Sequence, residues 1–345
     1  MLKPVFAASA FVALMTSPVP AATITTFDPT GSMNTVAWGI NAAGVIVGDY
    51  EDSHFVYHGY VRAAGGAITA FDPVGSTSTS VLAINAAGSS AGYYFDSGNV
   101  AHGFVRTSDG TITEFDAAGA GNGANEGTFV FGMNKAGSIV GYYVDTNLLY
   151  HAFVRTPNGK IKAFNAPGAG TRAGSGQGTS AFGINDHGVI AGDYEDSADV
   201  FHGYVRASDG TITSFDPSIA AGTNAQSIND TGTITGFVYD SSLVYHVFER
   251  SASGTLTTYD APQAGTTEFQ GTRSYSINMG GSIVGNYIES SNVNHGFRLG
   301  PTGTLTVITP TGSINTYARQ INATGSIVGY YDDSSDHSHG FVRSP

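Results

Sequence analysis

Apolar and polar positions alternate in short runs along this chain, and the runs recur in a fixed order. From Ile84 to Asp116 the order is Ile-Asn-Ala-Ala-Gly, Ser-Ala-Gly-Tyr-Tyr, His-Gly-Phe-Val-Arg and Ile-Thr-Glu-Phe-Asp. The residue opening Ile-Asn-x-x-Gly stands at Ile40, Ile84, Met133, Ile184, Ile228, Ile277 and Ile321. A His follows 18 residues later in every copy: His58, His102, His151, His202, His246, His295 and His339. Ten residues beyond it comes the apolar residue of Ile-Thr-x-Phe-Asp, at Ile68, Ile112, Ile161, Ile212, Leu256 and Leu305.

Each unit therefore holds four strand-length segments rich in Val, Ile, Thr, Tyr and Phe, none with helical periodicity. The first turn is Asn-Ala-Ala-Gly or a relative, where Asn can close an Asx-turn and Gly can take positive φ. The last turn ends in Gly66, Gly110, Gly159, Gly210, Gly254 or Gly303. Both are hairpin signals. Repeats of roughly 40 to 50 residues with four antiparallel strands each indicate a propeller.

The last unit stops at His339-Gly-Phe-Val-Arg343-Ser-Pro without its Ile-Thr-x-Phe-Asp strand, while Thr23-Ile24-Thr-Thr-Phe27-Asp28 is that strand without its three predecessors. The expectation is an all-β, seven-bladed β-propeller with four antiparallel strands per blade, its ring closed by the N-terminal strand completing the last blade. A closed ring removes two open sheet edges.

Composition refines this picture. Among 345 residues, Gly occurs 47 times and charged residues make only 12%, about twice and about half the usual shares. The surface must be wetted largely by Ser, Thr, Asn and backbone. A formal charge of −13 argues against a nucleic-acid groove, which needs clustered Lys and Arg. Residues 1–21 combine a basic start, an apolar run from Pro4 to Met15 and small residues before a cut after Ala21, the pattern of a secretory signal. Residues 23–345 then form one propeller domain. With no Cys, disulfides and a lipid-modified Cys anchor are excluded, and no later run approaches the ~20 apolar residues of a spanning helix. The mature chain is expected to be a secreted or periplasmic monomer that does not insert into membrane.

Length variation is confined to the connection from one outer strand to the next inner strand. Three connections are enlarged, at 117–127, 166–178 and 261–271, and they nominate one face for binding.

Two kinds of residue carry candidate chemistry. The first is periodic: Asp52 with His58, Asp96 with His102, and so on to Asp333 with His339, with Asp72, Asp116, Asp216 and Asp260 brought near the same His by the next hairpin. A device present in every unit reads as a hydrogen-bond staple fixing register rather than as a set of catalytic sites. The Arg four residues after the His, at Arg62, Arg106, Arg155, Arg206, Arg250 and Arg343 but replaced by Leu299 in one unit, receives the same reading.

The second kind departs from the repeat. Trp38, Phe131, Phe182, Tyr275 and Arg319 occupy one position two residues before the Ile-Asn motif, where other copies have Leu82 and Gln226; Glu126, Arg172, Glu268 and Arg273 lie in or beside the enlarged loops. Aromatic residues with Arg and Glu suit a sugar or peptide, so Trp38, Glu126, Arg172, Glu268, Arg273, Tyr275 and Arg319 are the candidate binding residues. No catalytic residue, metal ligand or cofactor is nominated. The acidic group Asp332, Asp333, Asp336, His337 and His339 matches no calcium-loop spacing. His-Glu-x-x-His, a phosphate-binding Gly-Lys-Ser/Thr loop and Gly-x-Ser-x-Gly are all missing from the sequence.

The His-Gly-Phe-Val-Arg and His-Ala-Phe-Val-Arg segments, coupled to Ile-Asn-x-x-Gly-x-Ile-Val-Gly, resemble the extracellular HAF repeat family over residues 23–345. His151-Ala152-Phe153 is the literal match, and His246-Val247-Phe248 and Phe297-Arg298-Leu299 depart from it. The resemblance implies an exported bacterial protein of propeller form and brings no activity or site residues with it. The functional expectation is a non-catalytic binding or scaffold module whose partner is an extracellular glycan or a surface protein. The alternative is a polysaccharide lyase or glycoside hydrolase working on the long-loop face.

Overall fold

The computed structural model describes residues 22–345; the expected leader, 1–21, lies outside the described residues. Among these the fold is all-β and propeller-like, built from four-stranded antiparallel units with no helix. The first unit has inner strand Ser32–Ile40, second strand Ile46–Asp52, third strand Tyr57–Arg62 and outer strand Ile68–Phe71. The same order repeats along the chain to Asn315–Ile321, Ile327–Asp332 and Ser338–Arg343. The short strand Ile24–Phe27 pairs with that last one, Ile24 opposite Arg343 and Phe27 opposite Gly340.

Within a unit burial is greatest in the second strand and least in the outer one. Second strands such as Ile139–Val144 are buried at nearly every position, so they read as continuous apolar runs. Outer strands such as Ile112–Phe115 half-bury only their end residues. The core lies between units: Val140 and Ala152 of one pack with Ala181, Ile190 and Tyr204 of the next. Across the chain ends, Ala37, Ile46 and Tyr60 pack on Val328, Phe27 and Val342 in the same way.

Two repeated side chains tie neighbours together. In five units the Arg after the His lays its guanidinium on the Phe of the preceding outer strand, with Arg62 4.7 Å from the Phe27 ring, Arg155 4.6 Å from Phe115 and Arg206 4.6 Å from Phe164. The Asn of the first turn does more than the expected Asx-turn. Its Oδ1 accepts backbone N–H bonds from two and four residues on, as at Asn41, Asn185 and Asn322. Its Nδ2 donates to the carbonyl of the next unit's Asn, from Asn41 to Asn85, Asn134 to Asn185, Asn185 to Asn229, Asn229 to Asn278 and Asn278 to Asn322, each at 3.1 Å. Asn322 donates in turn to the Asn41 carbonyl at 2.9 Å.

A Gly recurs in the second strand of every unit, at Gly48, Gly92, Gly141, Gly192, Gly236, Gly285 and Gly329, and its place has a local cause. Each inner strand carries a one-residue bulge opposite it, as between Ala37 and Gly39 or Val130 and Gly132. A Cβ on Gly141 would stand 1.9 Å from the Phe129 carbonyl oxygen, and on Gly92 1.9 Å from that of Ser80. The crowding is therefore with the unit's own inner strand.

The enlarged loops are pinned. Each ends in a glycine of positive φ, Gly127, Gly178 or Gly271, that makes a single parallel bridge to Ala101, Tyr150 or Tyr245 of the preceding third strand. At each, a Cβ would stand about 2 Å from that strand's carbonyl oxygen, so only Gly fits.

Candidate functional site

The bulge decides what lines the axis. A bulged residue is left out of the ladder and re-aimed, and the residues at the bulges are Trp38, Leu82, Phe131, Phe182, Gln226, Tyr275 and Arg319. All seven line one cavity of about 480 Å³, together with Ser80, Tyr93, Ser227, Ser276 and Gln320. That volume is within the usual range of small-ligand pockets, about 300–1,000 Å³.

Arg319 is the centre of one side of this cavity. Its guanidinium carbon lies 4.5 Å from the Tyr275 ring centroid, 4.9 Å from Trp38 and 5.3 Å from Tyr330, and its Nη2 donates to Tyr330 Oη at 3.0 Å. Trp38 Nε1 donates to Asp49 Oδ2 at 2.8 Å. Asp49 is 4% exposed; burial pushes its carboxyl up to about 7, against the lowering effect of its bonds from Trp38 and Ser80. Asp193, the equivalent residue of another unit, is 3% exposed with Oδ2 unpartnered. Burial first, and then the charge of Glu195, raises it well above the carboxylate range.

The structure thus brings together Trp38, Tyr275 and Arg319 among the residues nominated from sequence. The cavity runs along the inner strands toward the Ile-Asn turns, and no residue of the three enlarged loops lines it. Glu126 folds back on its own loop, accepting from Gly123 N at 2.7 Å. Arg172 is exposed and pairs with Asp199 at 2.5 Å, and Glu268 is exposed without a place in the cavity. Arg273 sits two residues before Tyr275 on the inner strand, its guanidinium 3.6 Å from the Tyr245 ring centroid. The cavity residues that the sequence left unnominated include Leu82, Tyr93, Phe131, Phe182, Gln226, Gln320 and the serines; Phe131, Phe182 and Gln226 were visible at the same repeat position.

Away from the axis, the His rows form as the hairpin geometry requires. His202 Nδ1 is 2.8 Å from Asp216 and its Nε2 3.4 Å from Asp196; His339 bridges Asp28 at 2.8 Å and Asp333 at 3.4 Å. Asn165 takes the Asp place beside His151 at 3.0 Å, and His295 is held by Glu289 at 3.2 Å. The loop carboxylate also accepts two backbone N–H bonds, as Asp196 does from Ala198 and Val200, and a Tyr ring stacks on most of these imidazoles, Tyr194 on His202 at 5.1 Å. Among the described residues no group of three His, Cys, Asp or Glu side chains is arranged to hold a metal ion.

The geometry defines a propeller-like β-protein with an axial cavity. No protein-family model matches the chain, and no curated protein matches it in sequence. Solved structures resemble it in fold. The lectin BP39L from Burkholderia pseudomallei is 9% identical, covering 94% of this chain and 98% of that one with a TM-score of 0.52. A mutant Aleuria aurantia lectin in complex with Fucα1-6GlcNAc is 15% identical over 82% of this chain and 100% of that one, TM-score 0.50. Puromycin hydrolase is 12% identical over 88% of this chain and 50% of its own, TM-score 0.55. At these identities the likeness is one of fold alone.

Proposed function

We propose that this chain is a secreted, non-catalytic binding module for extracellular glycan, built as a seven-bladed propeller whose ring is closed by the N-terminal strand. The pairing of Ile24–Phe27 with Ser338–Arg343 and the Asn322 to Asn41 bond support the closed ring. The signal-like segment supports export, and the HAF-type repeat pattern agrees with it. No helix among the described residues is long and apolar enough to cross a membrane.

The axial cavity carries the binding reading. Its lining joins aromatic rings (Trp38, Tyr93, Tyr275) to amide and hydroxyl groups (Gln226, Gln320, Ser80, Ser227, Ser276), and that mixture matches a sugar's apolar ring faces and hydroxyl rim. No carboxylate or imidazole lines it, a composition suited to holding a ligand rather than to acid–base hydrolysis. The glycan-binding lectins that share the fold agree with this, although fold does not dictate function. The test is a glycan array probed with the mature chain and with Trp38→Ala. Binding that Trp38→Ala reduces at least ~10-fold supports the axial site. Binding that Trp38→Ala leaves intact moves the site elsewhere, and no binding to any glycan removes the proposal.

A further inference from the structure

Arg319 is the only residue lining the axial cavity that carries a formal charge. The protein has 27 acidic residues against 14 Lys and Arg, yet no carboxylate stands within 4.0 Å of this guanidinium among the described residues. Arg273 is likewise held by rings, those of Phe237 and Tyr245, but lies outside the cavity; the remaining kinds of arginine show the contrast. Arg172 is paired with Asp199, and the repeat arginines such as Arg250 cap their own turn carbonyls while resting on a Phe. Arg319 makes one hydrogen bond, to Tyr330, and is otherwise held by the rings of Trp38, Tyr275, Tyr317 and Tyr330. Rings attract a cation without consuming its N–H donors. A half-buried guanidinium of five N–H groups, one bonded to Tyr330 and the Nε one buried without a partner, therefore lines the cavity with donors to spare.

A cation held by aromatic rings and left without a counter-ion is matched by an anion from outside, and the fork matches a carboxylate bidentately. Two acids flank this wall: Asp49 is engaged by Trp38, and the charge of Asp332 is felt by Tyr317 and Tyr330, but neither pairs with Arg319. Salt screens charges beyond about 8–10 Å at physiological strength, so the distant share of the −13 net charge has little effect on an anion at Arg319 and the groups around the guanidinium decide.

We infer that the glycan residue accepted at the axis is a uronic acid, its carboxylate on the Arg319 fork and its hydroxyls toward Gln226, Ser227 and Ser276. This rests on the glycan-binding reading above and sharpens it to acidic polysaccharide.

The experiment is calorimetric titration of the mature chain with short uronic-acid oligosaccharides and with the same oligosaccharides after carboxyl reduction. A charge-assisted bond predicts that the acidic form binds about 10- to 100-fold tighter, that Arg319→Gln erases this difference, and that added salt weakens the acidic ligand alone. Arg319→Lys keeps the charge but not the fork and is expected to retain part of the preference, so it serves if Arg319→Gln melts early. Equal binding of both ligands, insensitive to salt and to Arg319→Lys, overturns the uronate inference and leaves glycan binding standing. Binding of neither overturns both.

Discussion

Asn322 donates its amide N–H to the backbone carbonyl of Asn41, a residue 281 positions earlier, at 2.9 Å. The same side chain accepts the backbone N–H groups of Thr324 and Ser326. One buried amide thus shapes its own turn and bonds the last inner strand to the first.

Comparison with another Asn of the series isolates the cross-unit bond. Asn85 accepts from Ala87 and Ser89 but makes no side-chain donation to the next unit among the described hydrogen bonds. Asn322→Ala is expected to lower stability by about 1 kcal/mol more than Asn85→Ala, measured by denaturant unfolding. Equal losses would mean that the turn, and not the seam, sets the need for Asn.

The His rows predict a pH-dependent stability. Burial pulls the His202 pKa down, but the hydrogen bond and charge of Asp216, with Asp196 behind them, outweigh it and leave the pKa raised. A raised imidazole stabilises the fold below its unfolded value, near 6.5, and that contribution is lost as pH rises through the folded value. Asp196 is lowered, first by the backbone N–H of Val200 and further by Ala198 and His202. Its contribution is present above the ordinary carboxylate range and is lost as the pH falls through its folded value. His202→Gln should therefore depress the Tm more at pH 5.5 than at pH 8.5. A depression independent of pH would show that packing on Tyr194, not charge, is what His202 supplies.

Asp49 behaves in the opposite sense to a paired surface acid. With its carboxyl pushed up to about 7 by burial, the folded state holds a proton that the unfolded chain releases near pH 4. Stability therefore falls as pH rises from about 4 to about 7. Asn at this place still accepts from Trp38 Nε1 and has no charge to bury, so Asp49→Asn is expected to stabilise by up to about 4 kcal/mol at pH 8 and by little at pH 4. The check is a pair of unfolding curves at each pH; a gain that is the same at both would show that Asp49 is not held protonated.

How far these sites were legible depended on whether a rule acts within one strand or between units. Strand positions and hairpin partners followed from period-two patterning and turn residues, and folding two hairpins about their centres was enough to place Asp196, His202 and Asp216 in one row. Trp38, Tyr275 and Arg319 stood out as departures at one repeat position, and they do share a cavity. The reason lay out of reach, because a bulge between Ala37 and Gly39 is a property of pairing rather than of composition, and it is the bulge that aims those side chains at the axis. Arg172 and Glu268 lie apart from that cavity for the converse reason: a charge in a long loop looks available, but what it meets depends on a bridge such as Tyr150 to Gly178. The Asn belt and the Arg on Phe contacts were hidden for the same cause, each needing the neighbouring unit to be in place.

The strand Ile24–Phe27 offers the most direct test of closure. It covers the edge of Ser338–Arg343, places Phe27 6.2 Å from Tyr60 and 4.7 Å from the Arg62 guanidinium, and sets Asp28 against His339. Without it, an open strand edge faces solvent beside an uncovered apolar patch, and such edges recruit other chains. Removing residues 22–28 is expected to lower the Tm by several degrees and to produce concentration-dependent association by light scattering. A synthetic peptide spanning 23–29, added in excess, should bind that edge as a strand, raise the Tm in proportion to the logarithm of its concentration, and suppress association. A truncated chain that melts and sediments like the intact one would show that the ring does not depend on this clasp, and the seven-bladed closed reading would have to be given up.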